Sequence, residues 1–179
     1  LLGKRISNRW HKLYQSYNGT FCKEYIPEIL YTAYIEPRLN NQIYSRVFSN
    51  KILIDVLLKS DDVVTPPNYC YSDGTHYYDH NHRVIAKDKF WEIISNSGRI
   101  VLKPASGFGS GEGILFLNMV NGINQYTGEN IEDIQKKLVS PEIIAQEYYK
   151  QHRDLSIVHP MSMNTIRIST YIVNGEVHY

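Results

Sequence analysis

Between Arg99 and Leu117 two apolar runs, Ile100–Leu102 and Ile114–Leu117, flank Lys103 and a loop with glycine at every second position, Gly107, Gly109, Gly111 and Gly113. The β-branched and aromatic residues on either side predict two strands, and the loop between them predicts a hairpin flap. Glycines adopt positive φ without steric cost, and a loop with little side-chain bulk lets its backbone N–H groups approach an anion. A lysine on the lip of the loop suits the same guest. The pattern points to a polyphosphate, against the alternative of a surface hairpin with no ligand.

The spacing excludes the commonest phosphate loops. No lysine follows the last glycine, as a Gly-x-x-x-x-Gly-Lys-Ser/Thr loop requires. A dinucleotide fingerprint needs a glycine five places after its first, but Glu112 and Ile114 stand there in the two registers, and the next segment reads as a strand rather than a helix. In protein kinases the lysine follows the glycines on a later strand, whereas Lys103 precedes them.

Composition narrows the class further. With 42% apolar and 21% charged residues, the 179-residue chain is globular rather than disordered. A net charge of +1 provides no broad field for nucleic acid or anionic membranes. The early basic patch of Lys4, Arg5, Arg9, His11 and Lys12 reads as a solvated helix face, with contact to a membrane surface or partner as the alternative. Cys22 and Cys70 make no disulfide framework and fit a reducing cytosol, so a cytoplasmic location is expected. No apolar run approaches the ~18 residues that span a bilayer. The chain starts with leucine and stops at Tyr179 inside a predicted strand pair, 165–173 and 176–179 around Asn174-Gly175, so a fragment of a longer protein is expected.

Along the chain, residues 4–17 predict a helix closed by Asn18-Gly19, and 21–47 predict short helices and connectors. Ser49-Asn50 predicts the cap of a helix over 51–59, with Ile52, Leu53, Val56 and Leu57 inward. Residues 72–82 read as turns; His76, His80 and His82 have a spacing that a metal would accept, but no cysteine joins them. Helices are expected over 88–96 and 130–138, a loop over 118–127, and a buried strand starting at Glu142 that turns polar at Gln146-Glu147. The 15 tyrosines are read as rings packing the edges of a small core rather than as a sugar-stacking platform.

Taken in order, Ile29–Tyr31, Ile35–Asn40, Phe48–Lys51, Lys103-Pro104 with its glycine loop, Ala145–Glu147 with Gln151-His152, and Met163–Thr170 resemble the sugar-transfer-associated family of the ATP-grasp superfamily. The likeness covers nearly all of residues 20–179. It implies an α+β, two-lobed ATP-grasp-like fold whose C-terminal lobe is truncated. The expected division is a helical or irregular lead-in (1–50), a portion with the glycine-flap lobe (51–145), and the hinge with the opening of the C-terminal lobe (146–179). ATP is the implied ligand. Lys51 and Lys103 would neutralise its α- and β-phosphates, and Gly107, Gly109, Ser110, Gly111 and Gly113 would close over the β- and γ-phosphates. Gln146, Glu147 and Tyr149 would form the adenine hinge, and Asp154 a ribose contact. On an ideal strand Arg167 shares a face with Thr165 and Ser169, with Ile166 and Ile168 turned into a core. Arg167 would serve the transferred phosphate, oriented by Asn164.

The implied activity is carboxylate–amine or carboxylate–hydroxyl ligation through an acyl phosphate, with sugar-linked substrates of a polysaccharide or cell surface. A sugar phosphotransferase and a non-catalytic nucleotide-binding module are the alternatives. The family's Mg²⁺ is held by carboxylates on later strands, and only Glu176 follows Arg167, so the metal ligands are expected beyond Tyr179.

Overall fold

The computed structural model describes residues 7–58, 64–107, 111–160, 163–166 and 168–179. They fall into two compact units, one holding residues 7–58 with Ala105–Gly107 and the other the described residues of 64–104 and 111–179.

The first unit is helical. Helix α1, Arg9–Asn18, ends where Gly19 takes φ 74° and returns its N–H to the Gln15 carbonyl at 2.8 Å, the left-handed stop that Asn18-Gly19 predicts. One helical run then comprises α2 (Glu28–Leu30), a wider π turn (Tyr31–Ile35) and α3 (Glu36–Leu39). Helices α4 (Gln42–Ser49) and α5 (Lys51–Leu57) follow, capped by Asn41 and Asn50; the Asn50 side chain accepts the Ile52 N–H at 2.9 Å. Ser49 ends α4 rather than capping α5. Burial in α5 fades along its length, so Ile52 is buried while Val56 and Leu57 are exposed, contrary to their expected inward placement.

The second unit is organised around a seven-stranded antiparallel sheet. Its strands are β1 (Asn68–Asp73), β2 (Tyr77–Asp79), β3 (Val84–Ile85), β4 (Gly98–Pro104), β5 (Leu115–Val120), β6 (Ile123–Asn124) and β7 (Glu142–Glu147). They lie in the order β3-β2-β1-β7-β4-β5-β6. β7 carries four consecutive buried residues, Ile143 to Gln146, which suits the middle of a sheet covered on both faces. On one face Cys70, Ile100, Leu102, Leu117, Met119 and Ala145 form a core with Phe90, Trp91 and Ile94 of α6 (Lys87–Ser95) and Ile134 of α7 (Ile131–Lys136). The register sets the opposite face: Lys103 pairs with Ile144, which pairs with Tyr71, while Phe116, Val101, Gln146 and Asn68 form a second row.

Three local expectations change. The turn signals of 72–82 stand within and between strands, because Asp73 accepts the N–H groups of Thr75 and His76 and so closes a hairpin from β1 to β2. The segment 118–127 is not all loop: β5 runs on to Val120 and β6 follows. There Asn124, buried despite its polarity, accepts the N–H groups of Asn118 and Tyr126 and donates to Thr127. Finally, among the described residues of 163–170 there is no strand, and Ile166 and Ile168 are 77% and 70% exposed rather than in a core. Alternation marks which side chains would share a face, but a strand also needs a neighbour to bond with, and no described strand pairs there. Helix α8 (Arg153–Ser156) precedes that stretch, and the hairpin of β8 (Tyr171–Val173) and β9 (Glu176–His178) follows it. Asn174 and Gly175 make the hairpin turn with φ 54° and 84°, the geometry their pairing predicts.

Burial of Cys70 at the centre of the core pushes its thiol up to about 12, whereas Cys22 is partly exposed. At neutral pH Ellman's reagent should therefore titrate one thiol quickly in the folded protein and two in urea. Two fast thiols before unfolding would show that β1 is not packed as described.

Candidate functional site

Lys103 is the penultimate residue of β4, between Leu102 and Pro104, which are both buried. Alternation turns it to the sheet face opposite α6 and α7. The flap glycines divide by surroundings. Gly107 and Gly111 take φ of 76° and 83°, with open space where a Cβ would stand. Gly113 takes φ 72°, and a Cβ there would meet Val139 Cγ2 at 2.4 Å and Pro104 Cγ at 2.9 Å. Its absent side chain lets the flap return close against β4. Gly113→Ala should destabilise the protein by about 2 kcal/mol or more in urea melts, through both crowding and positive φ. Gly111→Ala should cost only the smaller backbone term. Equal losses for the two variants would contradict the packing role.

The second part of the site is the exit of β7. The Glu147 N–H donates to the Pro67 carbonyl at 3.0 Å and the Tyr148 N–H to the Arg99 carbonyl at 3.4 Å, so the chain leaves the sheet held from both sides. Immediately beyond lies a cavity of about 540 Å³, lined by Phe116, Tyr126, Tyr148, Tyr149, Lys150, Gln151, Ser156, Pro160 and Met163. Phe116 and Tyr148 meet edge to face, with centroids 6.3 Å apart. Loss of water raises the Tyr149 hydroxyl's pKa above its ordinary value, assisted by the charge of Glu147 and a hydrogen bond to it. The hydroxyl donates its hydrogen bond to the Glu147 carboxylate.

Two buried polar atoms bracket the hinge without a partner among the described residues. Gln146, 5% exposed, donates through Nε2 to Asn68 Oδ1 at 2.7 Å, but its Oε1 accepts nothing. Gln151 accepts the Asn164 N–H through Oε1, while its Nε2 is unpaired. Buried groups of this kind are uncommon and often mark a place where a ligand completes the bonding.

The other expected residues are placed as follows. Lys51 opens α5 in the first unit, and its N–H donates to the Ala105 carbonyl at 2.8 Å. Asp154 is an exposed carboxylate between His152 (3.6 Å) and Arg153 (3.3 Å). The Asn164 Nδ2 donates to the Leu155 and His159 carbonyls at 2.9 and 3.0 Å, closing the loop that borders the cavity. Gly109, Ser110 and Arg167 lie outside the described residues. Among the described residues no group of three or more His, Cys, Asp or Glu side chains is placed to hold a metal. His76 faces Asp73, His80 faces Asn81 and His82 faces Tyr71, so the three histidines do not converge. Tyr148 falls within the expected hinge run, whereas Phe116, Tyr126 and Gln151 were not among the expected contacts. The lone aromatic on an outward strand position, Phe116, was the available signal.

A lysine-bearing strand, the returning arm of the glycine loop from Gly111 to Gly113, and an aromatic cavity at a strand exit are thus parts of the second unit. The sequence profile of the sugar-transfer associated ATP-grasp family matches residues 31–179. The chain belongs to this family. No curated protein and no solved structure matches it. Membership of the sugar-transfer associated ATP-grasp family implies ATP binding and, in general, an ATP-dependent enzyme. The mixed helical and antiparallel architecture agrees with an α+β ATP-grasp protein.

Proposed function

We propose that the second unit binds ATP with its base in the cavity beyond β7 and its phosphates under the glycine flap, as part of an ATP-dependent ligase acting on sugar-linked substrates. The observation that carries this reading is the aromatic cavity at the hinge, lined by Gln151 with its unpartnered Nε2, while the unpartnered Gln146 Oε1 belongs to a residue in the same cross-strand row as the cavity's Phe116. An adenine edge presents an amino donor and ring-nitrogen acceptors, which an unsatisfied acceptor and donor complement. Phe116 and Tyr148 supply ring surface for the base. Lys103, on the Phe116-bearing sheet face, supplies a cation for the phosphates. The backbone N–H groups of the flap add neutral donors, and flap closure would exclude water from the transferred group.

In the ligation step a substrate carboxylate oxygen attacks the γ-phosphorus, the bond to the β,γ-bridging oxygen breaks, and ADP leaves with the electron pair. An amine or hydroxyl then attacks the acyl carbon, loses its proton and expels phosphate. Arg167 is assigned to the charge on the transferred phosphoryl group, and Asn164 to positioning, on the family resemblance and the chemistry of guanidinium with phosphate. ATP-grasp enzymes typically use Mg²⁺, and the described residues include no cluster fitted to hold it.

Calorimetry with two variants separates base from phosphate. Lys103→Ala should weaken ATP by about 10- to 100-fold while changing adenosine less than threefold, because only a charge-assisted contact is lost. Phe116→Ala should weaken both ligands by about 10-fold through lost stacking. Equal effects of Lys103→Ala on both ligands, or no effect of Phe116→Ala, would contradict the assignment. In the full-length protein, hydroxylamine should trap an acyl hydroxamate when ATP and the carboxylate are present. ADP formation with a sugar hydroxyl and no carboxylate would indicate phosphotransfer instead.

A further inference from the structure

We infer that α1 and the aromatic groove beside it form a seat for an anionic lipid surface. The contacts of α1 fix which way the helix faces. Trp10 lines a pocket with Leu30 and Tyr34 of the same unit. The Tyr14 hydroxyl accepts the Glu28 N–H at 3.2 Å and donates to the Ile26 carbonyl at 3.3 Å, and its ring meets Tyr25 edge-on at 5.5 Å. These contacts turn Trp10 and Tyr14 to the protein and send Arg9, Lys12, Leu13, Ser16 and Tyr17 to solvent. Arg9, Leu13 and Tyr17 follow one another at four-residue spacing, so they form a single ridge, with Lys12 and Ser16 alongside.

This ridge is not the charged face of an ordinary solvated helix. Tyr17 is 84% exposed and Leu13 44%, beside two cations. Tyr17 also forms a wall of an open groove of about 390 Å³, completed by Tyr14, Asn18, Tyr25 and Ile26. Every charged residue before Glu24 is basic: Lys4, Arg5, Arg9, Lys12 and Lys23. The remainder of the chain carries 14 basic against 18 acidic residues, so the positive charge is concentrated at this end. Cations level with tyrosine rings and aliphatic side chains match the headgroup zone of a bilayer, where lysine and arginine meet anionic lipid and amphipathic rings rest at the interface. A nucleic-acid backbone would use the cations but leave Leu13 and Ile26 without a partner. Among the described residues no helix is long and apolar enough to cross a membrane, so the contact lies in the plane of the surface.

The test is co-sedimentation of the full chain with phosphatidylcholine vesicles containing about 30% phosphatidylserine, compared with phosphatidylcholine alone. Recovery should be at least about 10-fold better with the anionic vesicles and should fall as salt is raised. Arg9→Gln with Lys12→Gln should reduce binding by about 20-fold, and Leu13→Ser with Tyr17→Ser by a similar factor. Because all four side chains are exposed, urea midpoints and ATP affinity should be unchanged in both variants. Three results would overturn the proposal: equal recovery on both vesicle types, indifference to both double substitutions, or retention on a polyglutamate resin that Arg9→Gln with Lys12→Gln abolishes while anionic vesicles recover nothing.

Discussion

The pairing of β7 between β1 and β4 is the constraint on which the second unit depends. Its four consecutive buried residues hold together two hairpin systems that are distant in sequence, β1–β2–β3 and β4–β5–β6. Leu102 and Cys70 both register on Ala145, a small residue that lets the core close over the strand. Lys103 and Tyr71 both register on Ile144 from the other side. A one-residue slip of β7 would exchange these faces, placing Gln146 in the apolar core and Ala145 beside Lys103. The same register therefore determines the core and aims the candidate site.

The site follows from how β7 ends. Its last residue and the next are bonded to Pro67 and Arg99, so the hinge begins from a fixed point rather than from a free strand end. Leaving a buried amide oxygen such as Gln146 Oε1 unpaired costs about 1–3 kcal/mol, a cost that a bound donor would remove. Gly113 has a comparable double role: its missing side chain gives the turn its positive φ and lets the flap return close to Pro104 and Val139. Thus the glycines are not equivalent. Gly113 is fixed by packing, whereas Gly107 and Gly111 have the open surroundings that a phosphate-covering loop needs.

The most legible elements were those whose signals are local. Asn18-Gly19 and Asn174-Gly175 favour left-handed backbone, taken by Gly19 in the first pair and by both residues in the second, and the residues around the glycine loop alternate as paired strands do. The apolar run at Glu142 marked a buried strand for the same reason. Long-range information was harder to read. The turn residues of 72–82 concealed two strands because Asp73 ends one and caps the next turn at once. Asn124 looked like a loop residue because its type does not reveal that three backbone and side-chain partners await it inside. At 165–170 the alternation was real, but among the described residues no strand pairs with that stretch. Around the candidate site, the placing of Lys103 at the end of a strand and the strand end at Gln146-Glu147 were legible, whereas Phe116, Tyr126 and Gln151 converge only through sheet pairing and the return of the loop at Asn164.

On the proposed reading one nucleotide engages Gly111–Gly113 of the flap and the hinge, both in the second unit. Amide hydrogen exchange with and without saturating ATP tests this most directly, because it reads both segments in one sample. ATP should slow exchange together at residues 111–113 and at 148–151, and adenosine only at the latter. Protection confined to one segment under ATP, or exchange unchanged at both, would contradict it.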